Sequence, residues 1–171
     1  MLIIGLDPGL AATGWGVIDA RNHRHLRLVN YGCIRTKAGR PAAERLYKLY
    51  TELRQIITAY KPAEAALEQL FFNRNVTSAL AVGEARGAVL VCLAEAGLLV
   101  HEYTPLQVKL SLTGNGRAEK EQVGFMVRVL LHMREMPQPD HAADALALAI
   151  CRSFYAENLV TNLSGPVEEH K

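Results

Sequence analysis

The chain has 171 residues, half of them apolar, and a formal net charge of +2 at pH 7. That is about one domain in length, with enough apolar surface for a core of its own, and no apolar run approaches the ~18 to 20 residues that would span a bilayer. The apolar start lacks the basic opening and small-residue cleavage site of a secretory signal, so a cytoplasmic α/β domain is expected.

Residues 2–7 alternate as a strand, with Ile3, Gly5 and Asp7 on one face, and Pro8-Gly9 turns the chain. Residues 15–19 and 25–35 read as the second and third strands, an antiparallel start. From Arg21 to Arg40 there are six Lys or Arg residues and no acid, a pattern that suits a solvated hairpin face as well as a polyanion partner. Leu46, Leu49, Tyr50, Leu53, Ile56, Ile57 and Tyr60 then make one helical stripe, closed by Lys61-Pro62. A strand over 63–68 follows directly, giving a β-α-β crossover.

A second long helix is expected over 75–96, where Leu80, Gly83, Gly87 and Leu90 recur at helical spacing and the glycines suit close packing against another helix. Residues 98–103 form the next strand. Thr104-Pro105 opens a short helix to about residue 112, with Thr as N-cap and Pro in the first turn. Residues 113–117 read as a flexible loop, 119–132 as a helix, and 141–157 as the last helix after Pro137 and Pro139. A single domain over 1–157 with a flexible tail over 158–171 is expected. The order predicts a mixed sheet with helices packed on it. Cys33, Cys92 and Cys151 are odd in number and far apart, which argues against a disulfide framework or a paired zinc site. His23 and His25 read as a polar strand edge.

Three acidic positions stand out. Asp7 ends an apolar strand before Pro-Gly, where a turn-forming role competes with a functional one. Glu68 ends the strand Ala-Ala-Leu, and an acid at the end of a buried strand costs free energy unless it is paired or binds metal. Pro139-Asp-His-Ala-Ala-Asp144 opens the last helix: Asp140 sits where an N-cap belongs, leaving His141 and Asp144, three apart, as the better site pair. Carboxylates held together repel one another unless cations neutralise them. Mg²⁺ suits them as a hard, oxygen-seeking ion, and two such ions can stabilise the attacking and leaving oxygens of a phosphodiester. The expected chemistry is phosphodiester hydrolysis.

Together and in order, Ile4-Gly-Leu-Asp-Pro-Gly9, Thr13-Gly-Trp-Gly16, Gly32-Cys-Ile-Arg-Thr-Lys37, Leu67-Glu-Gln-Leu-Phe71, Ser78-Ala-Leu80, Gly83-Glu-Ala-Arg-Gly87, Gln107-Val-Lys109, Ala118-Glu-Lys-Glu-Gln-Val123 and Ala142-Ala-Asp-Ala-Leu-Ala147 resemble the RuvC family of bacterial Holliday junction resolvases over nearly the whole chain. The resemblance implies a ribonuclease-H-like fold, a mixed five-stranded sheet with helices on both faces. It also implies a homodimer that makes paired symmetric nicks in a four-way DNA junction with Mg²⁺, during recombination and repair, alongside the branch-migration proteins RuvA and RuvB. Asp7, Glu68 and Asp144 fall on the family's catalytic and metal-binding carboxylates, and His141 on the fourth position, where members carry Asp or His. A histidine there would tolerate Mn²⁺, serve as ligand or proton shuttle, and link activity to pH in the imidazole range.

By the same resemblance Phe71 stacks on an unpaired base, with Phe72 less clearly assigned, and Lys109 and Lys120 lie near the scissile phosphate. Arg74, Arg117, Arg35 and Lys37 extend that DNA contact or are solvated charges. The glycine-bearing face of the 75–96 helix is the candidate dimer interface. Gly-Leu-Asp-Pro-Gly with Thr13-Gly also resembles the phosphate hairpin of actin-like ATPases and sugar kinases, which need a duplicated core more than twice this length. A junction-binding module without catalysis is the third reading.

Overall fold

Alternation along β1 (Leu2–Asp7) sends Ile3 and Gly5 to one face of a sheet and Ile4 and Leu6 to the other, and all four are buried. In the computed structural model, which describes residues 1–21, 25–69 and 76–163, β1 pairs antiparallel with β2 (Ala12–Asp19). β2 in turn pairs antiparallel with β3 (Arg27–Arg35). On its other side β1 pairs parallel with β4 (Glu64–Glu68), and β4 with β5 (Leu99–Tyr103). The five-stranded order is β3-β2-β1-β4-β5, mixed as expected.

Helices cover both faces. α1 (Ala42–Tyr60) and α2 (Val76–Glu95) meet one face through Leu49, Leu53, Ile57, Val89 and Leu93, against Ile4, Leu6 and Leu67. On the other lie α3 (Pro105–Thr113), α4 (Lys120–Leu130) and α5 (Asp140–Leu163), whose Leu112, Val127 and Leu146 join Ile3, Ile18 and Ala66 in a second core. Thr104 caps α3 through a reciprocal pair: its hydroxyl accepts from Gln107 N at 3.1 Å, and Gln107 Oε1 accepts from Thr104 N at 2.8 Å. No helix among the described residues is long and apolar enough to cross a membrane.

Several boundaries move. β2 begins at Ala12 rather than residue 15, because ladder partners on both sides outweigh the poor strand propensity of Gly14. α5 runs to Leu163, six residues past the expected end. Among the described residues Gly83 and Gly87 do not pack against another helix: a Cβ built on either meets nothing within 4 Å. α2 turns Ala85, Val89 and Leu93 inward instead, and leaves the glycine face open. His23 lies outside the described residues.

α5 is buried on nearly all sides from Ala145 to Cys151, as befits a helix clamped between a sheet and two further helices. It comes unusually close to the strands beneath it. A Cβ added at Gly5 would sit 1.8 Å from the Ala145 carbonyl oxygen, and one at Gly14 1.8 Å from that of His141. These two strand glycines are the floor on which α5 rests, and their lack of a side chain brings the start of α5 down beside the end of β1.

At the opposite end of the sheet the buried carboxylate of Asp19 collects three cations. Arg21 Nη2 donates to it at 2.6 Å, the amino terminus lies at 3.5 Å and Arg27 at 3.8 Å. The Arg21 hydrogen bonds hold Asp19 down at about 2, against burial. A carboxyl depressed in the folded state adds stability above its unfolded value of ~3.9 and loses it as pH falls through the folded one. Asp19→Asn is therefore expected to cost roughly 1 kcal/mol at pH 7, allowing for solvent screening of the arginines. In urea denaturation the gap from wild type should close between pH 4 and 2; a gap constant over that range would contradict this account.

Candidate active site

The ladder places Asp7 opposite Gly14, and Gly14 opposite Cys33, so the ends of β1 and β2 and the Arg35 end of β3 lie in one line. Glu68 ends β4 one strand over. Because α5 rests on Gly14, its first turn drops His141 and Asp144 onto this same end. Four residues, the first and third of them 134 positions apart in the chain, thus share one corner of the fold.

Their contacts are specific. His141 Nδ1 donates to Asp7 Oδ2 at 2.6 Å, which leaves Nε2 as the basic nitrogen of the neutral ring. Lys120, the first residue of α4, donates to Asp144 Oδ2 at 2.9 Å and lies 3.3 Å from Asp140. Burial raises Asp7 above the usual carboxylate range and Asp144 repels it further, while the His141 hydrogen bond pulls it back. Glu68 is raised by burial and then by the charges of Asp7 and Asp144, with Lys120 opposing. Burial works against the Lys120 charge, but its bonds to Asp144 and Asp140 outweigh that and raise it.

Among the described residues no three acidic or histidine side chains close into a ready cage for a cation. Asp7 is paired with His141, and Asp144 with Lys120. The donor set nonetheless suits a hard divalent ion: carboxylates on adjacent strand and helix ends raise one another's affinity for positive charge, and an ammonium already sits against one of them.

Glu68, Asp144, Lys109 and Lys120 line one groove of about 250 Å³, walled by Pro105 and Val108. The sequence-derived residues Asp7, Glu68, Asp144, His141, Lys109 and Lys120 therefore meet at one place. Arg35 and Lys37 are exposed at the same end of the sheet. Arg117 is exposed on the α3–α4 connection, where its backbone N donates to Asn115 Oδ1 at 2.9 Å, and it forms no ion pair among the described residues. Phe71, Phe72 and Arg74 lie outside the described residues.

Asp140 is not the N-cap of α5. Pro139 occupies that place, its carbonyl accepting from Ala142 N at 2.9 Å and from Ala143 N at 3.2 Å, and Asp140 is the first helical residue. A first-turn carboxylate still favours the helix dipole, and here it also shares Lys120 with Asp144. The sequence reading also missed Arg86, which reaches the backbone of Glu68 from α2. Its signal was an arginine between two glycines, Gly83 and Gly87, on a largely apolar helix.

The family model described as crossover junction endodeoxyribonuclease RuvC matches residues 3–152. The RuvC of Heliobacterium modesticaldum is 54% identical over 151 residues, covering 88% of this chain and 93% of that one. That of Desulfitobacterium hafniense is 50% identical over 165 residues, 96% and 99% of the two chains. Among solved structures, Thermus thermophilus RuvC in complex with Holliday junction substrate superposes with a TM-score of 0.88 at 40% identity, over 92% of this chain and 96% of that one. The yeast mitochondrial Holliday junction resolvase shares the fold, with a TM-score of 0.64 at 9% identity over 94% and 83% of the chains. The sheet order and two-sided helix layers described above are this ribonuclease-H-like fold.

Proposed function

The chain belongs to the RuvC family of crossover junction endodeoxyribonucleases, and from that premise we propose that it resolves Holliday junctions through Mg²⁺-dependent phosphodiester hydrolysis at the Asp7, Glu68, Asp144 and His141 corner. The observation that carries this reading is the meeting of Glu68 and Asp144 with two lysines on one groove, with Asp7, held by His141, close enough to Glu68 for its charge to act there. A site of that charge pattern takes a cation on its acids and a phosphate on its ammonium groups.

Asp7, Glu68 and Asp144 would hold the metal. When bound, Mg²⁺ supplies an acidified water and neutralises charge developing on the attacking and leaving oxygens, with Mn²⁺ able to replace it. His141 orients the Asp7 carboxylate through Nδ1–H and offers Nε2 to a proton from the attacking water. Lys109 and Lys120 hold phosphate oxygens, and Lys120 exchanges its bond to Asp144 for that contact as DNA enters. Phe71 and Arg74 complete the DNA surface in this reading, Phe71 by stacking on a base. Arg117 extends it from the α3–α4 loop.

A junction has two-fold symmetry, so paired cuts call for a two-fold dimer. The open face of α2 supports one: Leu80 is 65% and Val91 63% exposed, with Gly83 and Gly87 unobstructed between them, an apolar stripe with room for close helix approach. The same reading includes a cytoplasmic location and the branch-migration proteins RuvA and RuvB as partners.

Synthetic four-way junctions test the proposal. With Mg²⁺ the protein should nick two opposed strands at symmetric positions and leave ends that a ligase seals directly, and a chelator should stop it. Nicking that persists in chelator, or unpaired cuts on linear duplex only, would contradict it. Lys109→Ala should weaken junction binding and lower the slope of log affinity against log salt by about 1, one phosphate contact. A loss of affinity with the slope unchanged would place Lys109 away from phosphate.

A further inference from the structure

Arg86 is the one arginine of α2 and is turned inward, with only 9% of its side chain exposed. Its guanidinium spans two strands. Nη1 donates to the backbone carbonyl of Glu68 at 2.7 Å, and Nη2 meets Glu102 Oε1 on β5 at 2.6 Å. The β1–β4 ladder ends at Leu6 and Leu67, so the peptide that follows Glu68 is beyond the reach of β1. On the other side β5 still holds it, since Gln69 N donates to the Tyr103 carbonyl at 2.8 Å. Two tethers therefore fix the end of β4, and one of them belongs to α2.

We propose that Arg86 is a positioning residue for the metal site, its two-pronged bond to the Glu68 carbonyl and to Glu102 making the placement of the Glu68 carboxylate depend on α2. Only a guanidinium reaches both acceptors with a rigid fork and a permanent charge; an ammonium is a point donor and serves one of them well. Glu102 is half-exposed and water can solvate it if Arg86 is lost, whereas the Glu68 carbonyl is left with one tether fewer. The glycines on either side, Gly83 and Gly87, lie on the open face of the same helix turns. A shift of α2 on assembly would thus be passed through Arg86 to Glu68. This inference rests on the reading of Glu68 as a metal ligand.

The test is Mn²⁺ binding, measured by calorimetry and by electron paramagnetic resonance, on wild type, Glu68→Gln, Arg86→Lys, Arg86→Met and Leu53→Ala. The last is a control for stability loss in the α1 core, at a residue that does not line the groove. Mn²⁺ affinity should fall about tenfold in Arg86→Met and less in Arg86→Lys, with single-turnover junction cleavage down by about 100-fold in Arg86→Met, as for an angstrom-scale misplacement. Junction affinity without metal should stay within twofold, and Leu53→Ala should keep wild-type Mn²⁺ affinity despite a lower Tm. Arg86→Lys, which keeps the charge, answers the question if Arg86→Met does not fold. If Glu68→Gln loses Mn²⁺ while both folded Arg86 variants bind it like wild type, the inference fails and the site reading stands. If Glu68→Gln binds Mn²⁺ like wild type, the site reading fails and takes this inference with it.

Discussion

Asp7→Asn should reduce junction cleavage by at least about 10³-fold while leaving junction binding intact or slightly tighter. Replacing one carboxylate oxygen by an amide keeps the size and removes the charge, at a position where burial, and more weakly repulsion from Asp144, already disfavour it. A metal at such a site is worth several kcal/mol to the transition state, and each 1.36 kcal/mol is a factor of ten in rate. Binding moves the other way because a negative charge beside the phosphate path disappears. The substitution also leaves His141 Nδ1 a carbonyl acceptor in place of the carboxylate, so α5 need not move. Retention of more than a tenth of wild-type cleavage, under single-turnover conditions with saturating protein, would remove Asp7 from the catalytic set.

Gly14→Ala should be nearly as damaging for a wholly different reason. Its new methyl group would sit 1.8 Å from the His141 carbonyl oxygen and 2.9 Å from Ala142 N. Both are backbone atoms of a buried helix, so no side chain can swing aside. α5 must lift from β2, and it lifts at the turn that carries His141 and Asp144. Overpacking of this kind costs on the order of 3 kcal/mol, and an angstrom of misplacement at a reacting centre costs about 100-fold in rate. Gly5→Ala, blocked by the Ala145 carbonyl, provides the comparison: it should destabilise at least as much but disturb the His141–Asp7 contact less. Thermal melts and single-turnover cleavage of the two folded variants check this. A Gly14→Ala protein with wild-type Tm and rate would show that α5 does not rest on that strand as described.

Both predictions turn on features with very different legibility in the sequence. Strand alternation in β1 and the helical stripe of α1 are local signals, and they mark the two faces of the first strand and the buried face of the first helix. Asp7, Glu68 and Asp144 were legible because each interrupts an apolar segment, where a charge needs a reason. Their convergence is implied by the family resemblance and by no local pattern. It depends on how closely α5 approaches β1 and β2, which is written in Gly5 and Gly14, and a strand glycine carries no local mark of which backbone it admits. Asp140 looked like a cap because the residue before an apolar helix usually is one. Position alone points to that role, but the Pro139 carbonyl fills it while Asp140 pairs with Lys120. Arg86 was overlooked because its two acceptors, a backbone carbonyl and a residue sixteen positions further on, have no sequence pattern at all. The spacing of Gly83 and Gly87 predicts contact with another helix, and among the described residues of this chain the glycine face of α2 meets none.

The charge balance of the corner links these observations. Lys120 neutralises Asp144 and Asp140 from one side, and His141 tethers Asp7 on the other. Glu68 has no such partner among the described residues, and burial, followed by the charges of Asp7 and Asp144, raises it. In the proposed mechanism an incoming cation would be drawn to the side of the site where Glu68 and Asp7 lie, and the lysine would exchange a carboxylate for a phosphate. Metal and DNA entry would then be mutually supportive, because each would remove a repulsion that the other would face.

Anomalous scattering from Mn²⁺ in crystals of the protein with a bound four-way junction tests that arrangement most directly. The account predicts manganese density coordinated by the carboxylates of Asp7, Glu68 and Asp144, with the Lys120 ammonium moved from Asp144 to a phosphate oxygen. Manganese bound elsewhere, with Lys120 still paired to Asp144 and the scissile phosphate remote from all three acids, would contradict it.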